Sequence, residues 1–261
     1  MKTVCVIQAR MGSTRLPGKV LADVCGRPML SQEIRRLKSC SALDEIIVAT
    51  TTADQDTPVA DLARSEEIGC YRGSEDDVLS RFVGVARDTE ADVIVRVSGD
   101  CPLVDPDITG SVIRELLDHT TVCDYASNVG LTSDWYDSPS GPETKSPERT
   151  FPRGLDIEAL FSDVLFRIDR LATSPESREH VTVVPRSERR DLFLCRTVCD
   201  TEDNSSLRWT VDTEDDLKLI RILYEKLDLG SHQVSYPEIL AYVRENPELM
   251  EINAGGETLT G

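Results

Sequence analysis

The chain has 261 residues, 39% of them hydrophobic, and 47 acidic against 29 basic side chains give it a formal net charge of −18. That length and apolar content can bury a full core within one large domain, and no run of about eighteen apolar residues marks a membrane span. So acidic a surface repels nucleic acid and anionic lipid, and any anionic ligand must be held by a local basic site. The eight cysteines stand singly with no Cys-x-x-Cys pair, so neither a zinc site nor a thioredoxin-type motif is indicated and buried free thiols are expected. The chain begins directly with a strand pattern rather than a leader, and residence in the cytoplasm is the expectation.

Residues 3–8 form an apolar run that predicts a buried first strand. It opens into Gln8-Ala9-Arg10-Met11-Gly12-Ser13-Thr14-Arg15-Leu16-Pro17-Gly18-Lys19. Fixed cations, hydroxyls and glycines that let the backbone come close are what a polyphosphate requires. The loop is not a P-loop: five residues rather than four separate Gly12 from Gly18, and Val20 stands where Ser or Thr would bind Mg²⁺. The dinucleotide fingerprint Gly-x-Gly-x-x-Gly is absent as well.

Leu30, Ile34 and Leu37 then recur at helical spacing, and residues 45–50 predict a second strand. In 73–82, Ser74 or Asp76 is expected to cap a helix that buries Val78, Leu79, Phe82, Val83 and Ala86, with Arg81 one turn inside and able to face a nucleotide. Residues 92–97 predict a strand that delivers Asp100 at its carboxyl end, where open α/β sheets bind ligands. Asp105-Pro106-Asp107 reads as a helix start, followed by Ile108, Val112 and Leu116.

The pattern breaks over 132–150, a stretch rich in Ser, Pro, Gly and charge that is either a mobile lid or a disordered insertion. Leu160, Val164, Leu165 and Ile168 suggest a helix, and 191–198 and 207–211 suggest strands. Between them, Arg178-Glu179-His180 is either a structural hydrogen-bond cluster or a substrate contact. Asp212 follows the 207–211 run as Asp100 follows 92–97; it either begins a helix or faces the basic loop as a second carboxylate. Two such carboxylates with phosphate oxygens and water suit Mg²⁺. Thr213 and Asp216 are spaced as a capping box for a helix burying Leu217, Ile220, Leu223, Tyr224 and Leu227. A last helix is expected over 236–246, and a frayed tail from Asn253. The alternation predicts an α/β chain, a three-layer α/β/α arrangement on a mainly parallel sheet, as one domain over 1–252 with a disordered tail over 253–261.

Taken together, 8–19, 73–81, 99–105, 153–158, 178–182 and 208–216 resemble the SpsF-type cytidylyltransferase family, spore coat polysaccharide biosynthesis proteins related to the CMP-KDO and CMP-sialic acid synthetases. The resemblance implies a nucleotide-diphospho-sugar transferase (GT-A-like) fold, a homodimer, and transfer of CMP from CTP to a sugar acid or similar small acidic acceptor with release of pyrophosphate. It implies that Arg10, Gly12, Ser13, Arg15 and Lys19 hold the triphosphate, that Gln8 and Ala9 read the base, and that Ser74, Asp77, Arg81 and Ser98 complete the nucleotide site. The same resemblance implies that Asp100 and Asp212 would hold Mg²⁺ and, with Arg10 and Lys19, form the catalytic set. It also implies that Arg153, Glu158, Arg178 and His180 would face the acceptor. Two other readings compete: a glycosyltransferase using a nucleotide-sugar donor, and a non-catalytic nucleotide-binding partner.

Overall fold

The computed structural model describes residues 1–130 and 149–255. Apolar runs become the strands β1 (Thr3–Gln8), β4 (Glu45–Thr51), β5 (Gly69–Gly73) and β6 (Val93–Ser98), joined by β7 (Tyr125–Ser127), β8 (Glu158–Phe161) and β9 (Cys195–Thr197). These form one seven-stranded sheet in the order β5-β4-β1-β6-β8-β7-β9, and β8 alone opposes the direction of the rest. β2 (Asp23–Val24) and β3 (Arg27–Pro28) make a separate small hairpin.

β1 explains why the sheet is covered on both faces. Its side chains alternate, Cys5 and Ile7 entering one core and Val4 and Val6 the other, all fully buried. The first core is closed by α1 (Met29–Leu37), α2 (Thr57–Ser65), α4 (Pro106–Asp118), α7 (Glu214–Lys226) and α8 (Tyr236–Glu245). The second is closed by α3 (Val78–Asp88) and α5 (Ser162–Leu171), with the short α6 (Pro175–His180) against α3. The expected three-layer α/β/α arrangement is therefore present. From β1 the chain builds outward to β4 and β5, then returns to place β6 on the other side of β1. This reversal opens a crevice at the carboxyl ends of β1 and β6, where Gln8 and Ser98 are paired.

Several local expectations are corrected. Asp77, not Ser74 or Asp76, caps α3 by accepting from the Ser80 N–H, while Ser74 Oγ accepts from the Asp77 N–H. Leu160 belongs to β8, and its helix begins only at Ser162. The strand expected over 191–198 shrinks to β9, because Arg190–Leu192 closes into a 3₁₀ turn. Residues 207–211 form no strand: they make a single bridge, Arg153 with Arg208, although Trp209 and Val211 are buried. Gly154 makes this crossing possible. At φ +99° its missing Cβ would lie 2.4 Å from Thr210 N. Asn253 is buried rather than frayed. The lid or insertion expected over 132–150 lies outside the described residues, apart from Arg149, which pairs with Asp156, and Thr150, whose hydroxyl accepts from the Asp200 N–H.

The seam between β6 and β8 contains a charge that the core must neutralise. Glu158, 1% exposed, meets Arg96 across the β6–β8 pair and accepts from Tyr125 Oη at 2.5 Å and Thr182 Oγ1 at 2.7 Å, with Arg186 at 3.8 Å. Burial would raise its carboxyl, but the two arginines and two hydroxyls outweigh this and hold it down at about 2, against an ordinary 4.5. The folded chain therefore binds fewer protons here than the unfolded one. The network's contribution is complete above about pH 4.5 and is lost as pH falls toward 2. Replacing Glu158 by Gln should cost about 1–3 kcal/mol at neutral pH, since it leaves the half-buried guanidinium groups of Arg96 and Arg186 without their carboxylate. Urea denaturation at a series of pH values should show a shallower acid loss in Glu158→Gln than in wild type; parallel curves would contradict the assignment.

Candidate active site

The loop after β1 folds back on itself through one carbonyl. Met11 O accepts from the N–H groups of Ser13 at 2.9 Å and Gly18 at 3.0 Å. Gly18, at φ +73°, turns the chain into a 3₁₀ turn over Lys19–Leu21 that takes the Lys19 side chain inward. The Met11 N–H is held by buried Asp56 at 2.6 Å, which also takes the Thr51 hydroxyl. Gly12 is not demanded by crowding, because a Cβ there would meet Gln55 and Glu75 only at ordinary contact distances.

Buried Lys19 is where the separate motifs meet. Its Nζ donates to Asp100 Oδ2 at 2.8 Å, to Asp212 Oδ1 at 2.9 Å and to the Val211 carbonyl at 2.7 Å. Burial alone would lower the ammonium's pKa, but the two carboxylates overcome this and raise it. Asp100 arrives from β6 and Asp212 from the 207–211 crossing, which is tied down by the Val211 N–H donating to the Asp100 carbonyl at 2.9 Å. Asp212 also meets Arg15 at 2.9 Å and Arg208 at 2.8 Å. Burial pushes its carboxyl up, and Lys19, Arg15 and Arg208 hold it below its ordinary value.

Other expected nucleotide contacts gather along the same crevice. Arg10 pairs with Glu75 at 2.9 Å. Arg81 is buried and donates to the Ala49 carbonyl at 3.2 Å, which also accepts from the Ala9 N–H, while Arg81 Nε has no hydrogen-bond partner among the described residues. Burial, with Arg10 nearby, lowers its guanidinium pKa. The Gln8 carbonyl accepts from the Gly99 N–H at 2.9 Å, and a Cβ on Gly99 would lie 2.9 Å from that of Ala9. The motifs at 8–19 and 99–105 are thus in backbone contact.

The expected acceptor residues do not form one group. Arg153 lies beside the 207–211 crossing, and its guanidinium makes no hydrogen bond or ion pair among the described residues. Burial and the neighbouring Arg149 and Arg208 lower its pKa, with Asp156 opposing. Arg178 is spent on structure, reaching both oxygens of Asp77 at 3.0 and 2.7 Å and Asp169 at 2.7 Å. Glu158 is enclosed in its own network. His180 ends α6, half-buried, before a γ-turn in which buried Val181 sits at φ +59° and the Thr182 N–H donates back to the His180 carbonyl at 2.5 Å. Side chains absent from the sequence-derived site also take part: Arg208, Asp216 and Asp56 orient its members. Arg208 stood inside a recognised motif, and Asp216 was visible only as a helix cap.

The sequence profile of the cytidylyltransferase family matches residues 4–209. The spore coat polysaccharide biosynthesis protein SpsF of Bacillus subtilis is 29% identical over 251 residues, 93% of this chain and 94% of that protein. The 3-deoxy-manno-octulosonate cytidylyltransferase of Trichlorobacter lovleyi is 38% identical over 119 residues, 45% of this chain and 46% of that enzyme. A solved cytidylyltransferase from Leptospira borgpetersenii serovar Hardjo-bovis superposes with a TM-score of 0.84 at 27% identity, covering 100% of both chains. Because the family profile spans most of the chain, the chain belongs to the cytidylyltransferase family.

Proposed function

We propose that this enzyme transfers CMP from CTP to a small acidic acceptor, a sugar acid or a close chemical relative, in a Mg²⁺-dependent reaction that releases pyrophosphate. The observation that carries the reading is the convergence of Asp100 and Asp212 on one buried cation, Lys19, at the end of a loop that also carries Arg10, Ser13 and Arg15.

The donor set suits Mg²⁺. It offers hard carboxylate oxygens from two residues, and among the described residues no cluster of three or more Asp, Glu, His or Cys forms a complete protein cage. Mg²⁺ is usually held by one or two carboxylates together with substrate phosphates and water. Asp100 and Asp212 would hold the ion, which when bound supplies charge neutralisation on the phosphate oxygens.

The chain's own groups then do the following. Arg10, Arg15, Lys19 and the Ser13 hydroxyl bind and align the triphosphate, so that an acceptor oxygen can approach the α-phosphorus in line with the departing pyrophosphate. A new oxygen–phosphorus bond forms as the α–β bridge breaks, the bridging electron pair leaves with pyrophosphate, and the proton of the acceptor hydroxyl passes to solvent. Lys19, already charged, exchanges its carboxylate partners for phosphate oxygens and stabilises the negative charge that builds up on them. The Arg153 guanidinium, crowded by like charge and without a hydrogen-bond partner among the described residues, is suited to a bidentate contact with an acceptor carboxylate. That the Trichlorobacter relative is named for a sugar acid supports an acidic acceptor.

Pyrophosphate release measured with each of CTP, UTP, ATP and GTP against a panel of sugar acids tests the reading; turnover should be greatest with CTP and vanish with neutral sugars. Asp100→Ala and Asp212→Ala should each lose at least about a hundredfold in turnover, the scale of one preorganised charge contact, with the fold retained by circular dichroism. Near-normal Mg²⁺-dependent turnover in either variant would refute the metal assignment. Arg153→Ala should raise the acceptor KM about tenfold or more, as expected for a lost charged hydrogen bond, and leave the CTP KM unchanged; an unaltered acceptor KM would remove Arg153 from the pocket.

A further inference from the structure

Beyond α8 the chain returns to the site. Residues Pro247–Glu251 form a 3₁₀ turn, and Asn253 follows, 6% exposed. Its Nδ2 donates to two acceptors, the Arg208 main-chain carbonyl at 2.9 Å and Asp216 Oδ1 at 2.9 Å. Asp216, 1% exposed, uses Oδ1 and Oδ2 to receive Arg208 Nε at 3.0 Å and Nη2 at 3.2 Å, and Oδ2 also takes the N–H groups of Asp212 and Thr213. Arg208 Nη2 then reaches Asp212 Oδ2 at 2.8 Å.

These contacts close a ring. Arg208 is held through its guanidinium by Asp216 and through its main chain by Asn253, and Asn253 also holds Asp216. A guanidinium is planar, so fixing two of its nitrogens fixes the direction of the remaining bond. Arg208 lies in a segment held by its bridge to Arg153 and by the Val211 N–H on the Asp100 carbonyl, and Asn253 adds a hydrogen bond to the Arg208 carbonyl itself. The outcome is the aim of Asp212: with Oδ2 taken by Arg208, Oδ1 faces Lys19 and Arg15.

We propose that Asn253 is a positioning residue for Asp212, acting through Asp216 and Arg208 to hold the carboxylate in the orientation that receives the metal–triphosphate. The inference rests on the reading of Asp212 as a metal carboxylate. A residue that only anchors the end of the fold would change stability and leave the metal's effect on nucleotide binding alone.

The test is calorimetric titration of CTP with and without Mg²⁺, reading the factor by which Mg²⁺ strengthens binding. In Asn253→Ala that factor should fall about three- to tenfold, the scale of one neutral hydrogen bond, while metal-free CTP affinity stays at the wild-type value. Asn253→Ser, which keeps one donor, guards against a failure to fold and should fall between the two. Asp212→Asn should abolish the enhancement, and adding Asn253→Ala to it should change nothing more, because both act through one carboxylate. A wild-type enhancement in Asn253→Ala would overturn the role of Asn253 alone. A wild-type enhancement in Asp212→Asn would overturn the metal reading and the inference with it.

Discussion

The ion triad of buried Lys19 with half-buried Asp100 and Asp212 is the constraint on which the rest of the architecture depends. Taking an ammonium out of water and partly desolvating two carboxylates is expensive, and such clusters seldom stabilise a fold as well as apolar packing would. This one is tolerated because the ammonium is fully satisfied, by two carboxylates and the Val211 carbonyl. To assemble it, the end of β1, the end of β6 and the 207–211 crossing must come to one point, more than 190 residues apart in sequence in the case of Lys19 and Asp212. The reversal of strand order at β1 and β6 opens the crevice, Gly18 aims the lysine, and Gly154 lets the crossing pass close enough to deliver Asp212.

A second consequence follows from the chain's acidity. Most cations that line the crevice are already matched by the protein's own carboxylates: Arg10 by Glu75, Arg15 by Asp212, Lys19 by both site aspartates. On the proposed reading, binding a polyphosphate here would be an exchange of anionic partners, in which phosphate oxygens take over contacts that the carboxylates now hold. The present pairing keeps a strongly cationic loop compact within a molecule of net charge −18, and the exchange would free the carboxylates for a divalent cation. Arg153 differs, with arginines as neighbours and only Asp156 to offset them.

Much of this was legible in the sequence where the signal was local. β1, β4 and β6 are mainly apolar runs, β6 being broken by Arg96, the Asp105 cap and the Thr213–Asp216 box are short-range patterns, and both carboxylates follow buried runs. The misreadings share a physical origin in tertiary context. β7, β8 and β9 have only three or four residues, too few to show a period, so Leu160 was absorbed into the helix that follows. Residues 207–211 have the composition of a strand and the burial of one, yet cross at a glycine instead of pairing. Arg178 and Glu158 sit in motifs, but their partners lie far away in sequence, Asp77 being 101 residues from Arg178. No pattern around Asn253 announces that it is buried, because its acceptors belong to Arg208 and Asp216.

The fold, the family and the charge geometry support one account: a strand-end cation loop and two carboxylates that together receive a metal-bound cytidine triphosphate. The most direct measurement is a crystal structure grown with CTP and Mn²⁺, with the metal located by anomalous scattering. The account predicts a peak bound by Asp100, Asp212 and phosphate oxygens, with Lys19 Nζ moved from the carboxylates onto phosphate. A metal bound elsewhere, with Lys19 still bridging both aspartates beside bound CTP, would contradict it.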